Sequence, residues 1–216
     1  MTKKELLKRY LLFIAGLFFE GVGVAFTKHG ELGVSPISSV ANVMYSLIPS
    51  LSLGTWLLIW NCLLLVAQIL ILRRDFPLIQ LLQIPLSVLF GVFTDIGMLM
   101  VSGIPVEVYG SKLLMLGIGI FILAFGIELT VIANVVLNSG EALVKDISDK
   151  VKKPFGNVKV AFDISCVVAA VMLSLIFFHG QIIGTREGTI ISALCTGLVV
   201  KLYAKMIAKP VNAVLA

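Results

Sequence analysis

Six apolar stretches, each about as long as a helix needs to cross a bilayer, recur along this chain and leave it few folds to choose from. A span takes roughly 20 predominantly apolar residues, and the runs fall at 10–28, 54–72, 78–101, 113–134, 156–178 and 187–207. Composition agrees. Of the 216 residues 59% are hydrophobic and 13% charged, against about 25% charged in soluble domains, and mean hydropathy is +1.07. The expected class is an all-α polytopic membrane protein, with residues 1–216 forming a single membrane domain. Lys3, Lys4, Lys8 and Arg9 precede the first run, as they would in a signal peptide. That run is too long for such a segment and no small-x-small cleavage site follows, so it reads as an uncleaved first helix.

The chain also interrupts itself twice in the same way. Around Ser35-Pro36, and again around Ser139-Gly140-Glu141, a long apolar run breaks at a helix-starting signal and a short polar helix follows. A shift of 103 residues matches Gly16 with Gly119, Gly23 with Gly126, Thr27 with Thr130, Ser35 with Asn138 and Pro36 with Ser139. A shift of 102 matches Gly54 with Gly156 and Asn61 with Asp163, and one of 106 matches Gly91 with Gly197. The order of features repeats too: span, break, short helix, glycine-initiated span, third span. The first repeat is expected over 10–101 and the second over 113–207. Three crossings per repeat force the second copy to enter from the opposite side, giving an inverted repeat.

Basic residues set the orientation. With the N-terminus inside, fourteen of the 17 lysines and arginines fall on the inner side, and only Lys28, Lys112 and Arg186 fall outside. That asymmetry follows the positive-inside rule, so the net charge of +5 is a topology signal and not a nucleic-acid footprint. Both termini are expected to be cytoplasmic. The count holds only if the two short helices do not cross. Glu141, Lys145, Asp146, Asp149 and Lys150 bar residues 139–151 from crossing, at about 2.5–3.5 kcal/mol for each charge near the bilayer centre.

The short helices have two readings. In 36–48, Ile37, Val40, Met44 and Leu47 repeat at helical spacing; in 139–151, Leu143, Ile147 and Val151 do so, with Glu141–Lys145 and Asp146–Lys150 as i, i+4 pairs. Such helices can lie at the two interfaces as connectors. Alternatively their starts dip into the bundle, where free N–H groups and the positive dipole end can hold a polar or anionic group. Ser35 and Ser139 are placed to cap these starts, and Pro36 suits a first helical position.

Four acids lie inside expected spans, where an ionisable residue defaults to a functional hypothesis. Glu128 has no basic residue within one turn and is the leading candidate for a proton carrier, or else a neutral packing group. Glu20 is the second candidate, although Gly21 and Gly23 beside it point to close helix packing. Asp163 has Lys159 four residues earlier, so an ion pair and a binding role both stand. Asp95 sits where it can cap or pair. Asn61 and Gln68 share one helix face directed into the bundle and suit interhelical hydrogen bonds. Arg186-Glu187 is read as an exposed pair at the outer mouth. The candidate substrate site is therefore Ser35, Pro36, Ser38, Asn61, Ser139, Gly140, Glu141 and Asp163, with Glu128 and Glu20 for proton coupling.

Several chemistries find no support in the sequence. Cys62, Cys166 and Cys195 lie in spans, odd in number and without a C-x-x-C pair, so neither a disulfide framework nor a thiolate metal site is indicated. His29 and His179 lack a spaced ligand partner, and no nucleophile elbow or P-loop occurs. The expectation is no enzyme, no cofactor and no metal. The glycines of the first and fourth spans suit either a homodimer or internal packing equally.

Leu32-Gly33-Val34-Ser35-Pro36-Ile37, Ser52-Leu53-Gly54-Thr55-Trp56 and Gly91 with Asp95-Ile96-Gly97 resemble motifs of the YitT/YczE-type bacterial integral membrane proteins. Ser139-Gly140-Glu141-Ala142-Leu143, Phe162-Asp163 and Arg186-Glu187-Gly188-Thr189 resemble second-half motifs of one branch of that group. The resemblance covers nearly the whole chain and implies a bacterial cytoplasmic-membrane location, but it implies little about activity. Many relatives carry Pro-Trp-Asp after the first break where this chain has Pro36-Ile37-Ser38, so the resemblance transfers no role to Ser38. The expected function is a small secondary transporter, possible proton coupling included, for a polar or anionic metabolite bound between the repeats. The alternatives are an accessory or scaffold protein with a basic docking face, and a substrate-capturing subunit of a larger ATP-driven importer.

Overall fold

The computed structural model describes residues 3–215. Among the described residues eight α-helices follow one another: α1 (Lys3–His29), α2 (Pro36–Leu47), α3 (Leu53–Leu72), α4 (Gln83–Val101), α5 (Tyr109–Ala133), α6 (Ser139–Val151), α7 (Phe155–Phe177) and α8 (Glu187–Leu215). Six of them are long and apolar enough to cross a membrane; α2 and α6 are not. The expected all-α fold with six spans and two short helices is what forms. The third span covers 78–101 as expected, opening on a 3-10 turn, and the end of the last span differs from expectation. Residues 78–82 form a 3-10 turn, so α4 starts at Gln83 with Pro85 in its first turn, where a missing N–H costs nothing. At the other end of the chain α8 runs past Pro210 to Leu215.

The centre of the bundle is the antiparallel pair α1 and α5, whose apolar windows are each 56% buried. Glycines bring the two backbones together. A methyl on Gly16 would lie 2.9 Å from the Gly126 carbonyl oxygen, and one on Gly119 would lie 3.0 Å from the Gly23 carbonyl oxygen. These two close approaches exchange when the halves are exchanged, since Gly16 matches Gly119 and Gly23 matches Gly126. Arg9 closes the free end of α5, its Nη1 donating to the carbonyls of Ile132 and Ala133 at 3.4 and 3.3 Å. At the opposite end Lys112 pairs with Glu31 at 2.5 Å.

Around this pair the packing repeats as well. Helix α4 lies parallel to α1, with Gly21 against Phe93 and Thr94 and Gly97 against Ala25. In the same way α8 lies parallel to α5, with Leu116 and Ile120 against Ile191, Cys195 and Val199. Helix α2 packs on α3 and α7, and α6 packs on α7 and α3. Unusual backbone also recurs at matched positions: Glu31 and Asn134 have φ of 57° and 48°, and Arg73 and His179 have φ of 52° and 54°. Ser35 and Asn138, each just before a short helix, share φ/ψ of −58°/150° and −61°/149°.

One contact has no counterpart of similar extent. Helices α3 and α4 meet through Gly54 and Gly91, and a methyl on Gly54 would collide with the Gly91 carbonyl. Asp95 locks that contact by accepting from the Gly54 N–H at 2.8 Å and the Ser52 hydroxyl at 2.5 Å, capping α3. In the second half, α7 and α8 stand apart, and a methyl on Gly156 or Gly197 would meet open space.

The short helices are more deeply set than their apolar stripes implied. In α2 every residue from Ser38 to Val43 is buried, including Ser38, Ser39 and Asn42, while Met44 to Leu47 are partly accessible. In α6 the buried set is Ser139, Gly140, Ala142, Leu143, Val144 and Ser148, and Val151 is exposed. The first turns thus lie inside protein and the last turns emerge. The two i, i+4 pairs expected on α6 do not close, because Glu141 turns into the bundle and Lys150 donates to the Ile71 carbonyl at 2.8 Å instead.

Candidate functional site

The two interrupted-helix starts meet. Ile37, in the first turn of α2, lies on Gly140, in the first turn of α6; a methyl on Gly140 would be 2.8 Å from Ile37 Cδ1. Gly140 leaves room for the Ile37 side chain, whose flexible tip is what a methyl there would displace.

A chain of polar groups runs through this junction. Glu20 sits on α1 opposite Gly126, and its carboxylate accepts from Thr130 Oγ1 at 2.9 Å and from Asn138 Nδ2 at 3.3 Å. Asn138 Oδ1 in turn accepts from the Ser139 N–H at 2.9 Å, capping α6. The Ser139 carbonyl accepts from Gln68 Nε2 at 3.1 Å, and Gln68 and Gln83 exchange hydrogen bonds at 3.1 and 3.3 Å. Glu141 lies within electrostatic reach of Glu20 on one side and of Lys159 and Asp163 on the other. Desolvation, ahead of the opposing Lys159 charge, holds the Glu141 carboxyl above the usual carboxylate range. Lys159 and Asp163 pair at 2.5 Å. One turn beyond Asp163, the Cys166 carbonyl faces the Ser39 hydroxyl of α2 at 3.4 Å, which ties the acidic cluster back to the first break.

Two sequence expectations about capping need correction. Ser139 is the first residue of α6 and not its cap; Asn138 caps it, as its match to Ser35 could have told. Ser35 occupies the cap position of α2 but donates to Ser38 Oγ at 3.0 Å and accepts no backbone N–H. Pro36 removes one of the N–H groups that a cap would serve.

Among the expected site residues, the structure gathers Ser35, Pro36, Ser38, Ser139, Gly140, Glu141 and Asp163 around the junction, with Glu20 beside them. Asn61 is buried on α3 with its Nδ2 unpartnered, and no hydrogen bond joins it to the cluster. Glu128 is buried at 3% exposure but stands apart, without a hydrogen bond or ion pair. Helix geometry explains this. Gly126 and Thr130 face α1, and Glu128 lies about 200° of helix rotation from each. Sequence spacing flagged its lack of a basic neighbour, but that lack reflects isolation from the site.

Two openings approach the junction from the end that carries Arg9, Arg73 and Lys150. A cleft of about 190 Å³ is lined by Gln80, Gln83, Val136, Leu137, Lys145 and Asp146 among others. Beyond it, a void of about 10 Å³ is lined by Gln83, Ser87, Asn138 and Ser139, and Ser139 Oγ is unpartnered. A void of that size holds about one water. No group of three or more metal-ligating side chains occurs among the described residues.

The model of a family of unknown function, DUF6198, matches residues 7–205. An uncharacterized membrane protein of Bacillus subtilis strain 168, YczE, is 27% identical over 202 residues, covering 92% of this chain and 86% of that protein. No solved structure matches. With nearly all of its spans and both short helices inside the match, the chain belongs to the DUF6198 family of YczE-type membrane proteins.

Proposed function

We propose that this protein is a small secondary transporter for a polar solute, bound at the seam where the starts of α2 and α6 meet, with Glu20 as its proton-carrying carboxyl. The observation that carries the reading is the junction itself: Ile37 against Gly140, enclosed by Glu20, Asn138, Ser139, Glu141 and the Lys159–Asp163 pair. Discontinuous helices meeting at the interface of two repeats are the usual place for a transporter's substrate and coupling ion. Three carboxyl groups against one lysine favour a neutral or cationic solute over an anion. Glu20, on the first half, is bonded to the second through Thr130 and Asn138, so its protonation state bears on how the halves fit together.

The antiparallel α1–α5 contact, exchanging Gly16–Gly126 with Gly23–Gly119, supports an inverted repeat with its pseudo-two-fold axis in the membrane plane. In this reading the protein sits in the bacterial cytoplasmic membrane with both termini cytoplasmic, because the end holding Arg9, Arg73, Arg74 and Lys150 carries the basic excess. Reconstitution into liposomes tests the proposal. A pH gradient should drive uptake of a member of a panel of amines, amino acids and neutral polar metabolites, and Glu20→Gln should uncouple it. Absence of uptake across the panel, with Glu20→Gln indistinguishable from wild type in cells, overturns it.

A second reading has one observation in its favour. An open groove of about 740 Å³ at the basic end is lined by Arg73, Arg74, Asp75, Asp146, Asp149 and Lys150, a mixed-charge surface suited to a protein partner. A stoichiometric partner without solute flux selects an accessory role, and a co-purifying ATPase selects an importer subunit.

A further inference from the structure

Outside α8 and the turn before it, most buried serines and threonines hydrogen-bond to a backbone carbonyl, Ser38, Ser87 and Ser139 excepted. Thr27 bonds to Val24, Ser39 to Pro36, Thr94 to Phe90 and Thr130 to Ile127, all between 2.6 and 2.9 Å. Helix α8 and the turn before it break this rule. Thr189, Ser192 and Thr196 follow one another at i, i+3 and i+7 on one face of α8, and Thr185 lies in the turn before it. All four hydroxyl oxygens are buried and unpartnered. Thr189 and Ser192 are each 1% exposed, whereas Leu194, on the opposite face, is 67% exposed. A buried polar group without a partner demands an explanation, and three on one face with a fourth in the turn before it make a polar seam.

The seam faces the segment that leads into α2. A methyl on Gly33 would collide with Thr189 Oγ1, the Gly188 N–H donates to the Leu32 carbonyl at 2.8 Å, and Asn42 Nδ2 donates to the Gly184 carbonyl at 2.6 Å. At 1.5 Å per residue, the stretch of α8 from Glu187 to Thr196 spans about 14 Å, or about half of a 30 Å hydrocarbon core. Within it Thr189 meets Gly33, three residues before α2 starts at Pro36. Its counterpart in the first half is already open. A shift of 106 matches Thr189 with Gln83, and a shift of 103 matches Gly33 with Val136. Gln83 and Val136 both line the 190 Å³ cleft at the basic end.

We infer that the hydroxyls of α8 and the turn before it, from Thr185 to Thr196, line the second access route to the junction, sealed here by the 32–35 segment and hydrated when α8 moves off it. The inference rests on the transporter reading for its purpose but on the orphaned hydroxyls for its existence. Helix α8 has room to move, since α7 does not clamp it as α3 clamps α4.

Cysteine accessibility tests it. In a background of Cys62→Ala, Cys166→Ala and Cys195→Ala, single substitutions Thr185→Cys, Thr189→Cys, Ser192→Cys and Thr196→Cys are exposed to a membrane-impermeant trimethylammonium methanethiosulfonate applied from the Arg186 side. Reaction is expected at all four, slowing with depth, and at least about tenfold faster than at the control Leu194→Cys. Ser192→Cys exchanges a single oxygen for sulfur and decides the matter should a threonine variant fail to reach the membrane. Ser192→Cys and Thr196→Cys reacting no faster than Leu194→Cys, while Arg186→Cys reacts readily, overturns the inference. The outcome is separable from transport. Labelled seam positions without solute flux keep the route and remove the transporter, and flux with inert seam positions does the reverse.

Discussion

Glu20 and Glu128 look alike in the sequence, each an acid within two residues of a glycine in a long apolar helix, yet their surroundings differ. Glu20 accepts from Thr130 and Asn138, and through Asn138 it reaches the cap of α6. Glu128 has no such partner. In proteoliposomes Glu20→Gln should therefore lower proton-driven uptake at least about tenfold while leaving pH-independent exchange. Glu128→Gln should stay within about twofold of wild type. The reverse ranking would return the proton role to Glu128. Glycine makes a second residue-scale contrast. Gly54→Ala forces a methyl onto the Gly91 carbonyl, and overpacking of this kind costs about 1–3 kcal/mol. Gly156→Ala and Gly197→Ala meet open space and gain up to about 1 kcal/mol of helix propensity. Unfolding in detergent should show a loss for the first and none for the other two. Equal losses would mean that α7 and α8 pack as α3 and α4 do. These differences are invisible in the sequence, where Gly54 and Gly156 are equivalent, because they depend on what faces each glycine across the bundle.

At the scale of elements, the breaks were legible and their depth was not. Six apolar runs, two breaks and a charge count suffice to separate spanning from non-spanning helices, since hydrocarbon excludes charge so strongly. The apolar stripes on α2 and α6 suggested interfacial helices, but stripes report amphipathicity and not depth. Burial of Ser38, Ser39 and Asn42 beside Val40 and Val43 is what places the first turns inside. Asn138 was matched to Ser35 by the repeat and still missed as the cap, because Ser139 is also a good capping residue. Gln83 was missed outright, as it lies at the edge of an apolar run with no motif around it. Helix α6 also gives a pH signature. Glu141 keeps its proton to higher pH when folded than when unfolded, so the folded state binds more protons above the ordinary glutamate value of about 4.3. Stability therefore falls as pH rises from there through the raised native value. Asp146, also raised by desolvation, adds to the same trend. Thermal midpoints in detergent between about pH 4 and 8 should decline less for Glu141→Gln than for wild type. Parallel profiles would show that Glu141 is well solvated.

At the scale of the whole molecule, the two halves share helix order, backbone breaks and packing, and differ in one clamp. The first half is closed at Gly54, Gly91 and Asp95, while α7 and α8 stand apart. A cleft reaches Gln83 from the basic end, while its counterpart at Thr189 is sealed. On the proposed transporter reading, that asymmetry would be one state of an alternating-access cycle, with the junction of α2 and α6 as the fixed point between two routes. The account stands or falls on that junction. Its most direct test is the double variant Ile37→Cys/Gly140→Cys in a background free of Cys62, Cys166 and Cys195, oxidised in native membranes with copper phenanthroline and read by protection from a mass-shifting maleimide. The account predicts rapid intramolecular disulfide formation, reversed by reductant, with neither single variant forming it. Two free thiols after oxidation, with the protein folded and inserted, would mean that the two breaks do not share a site.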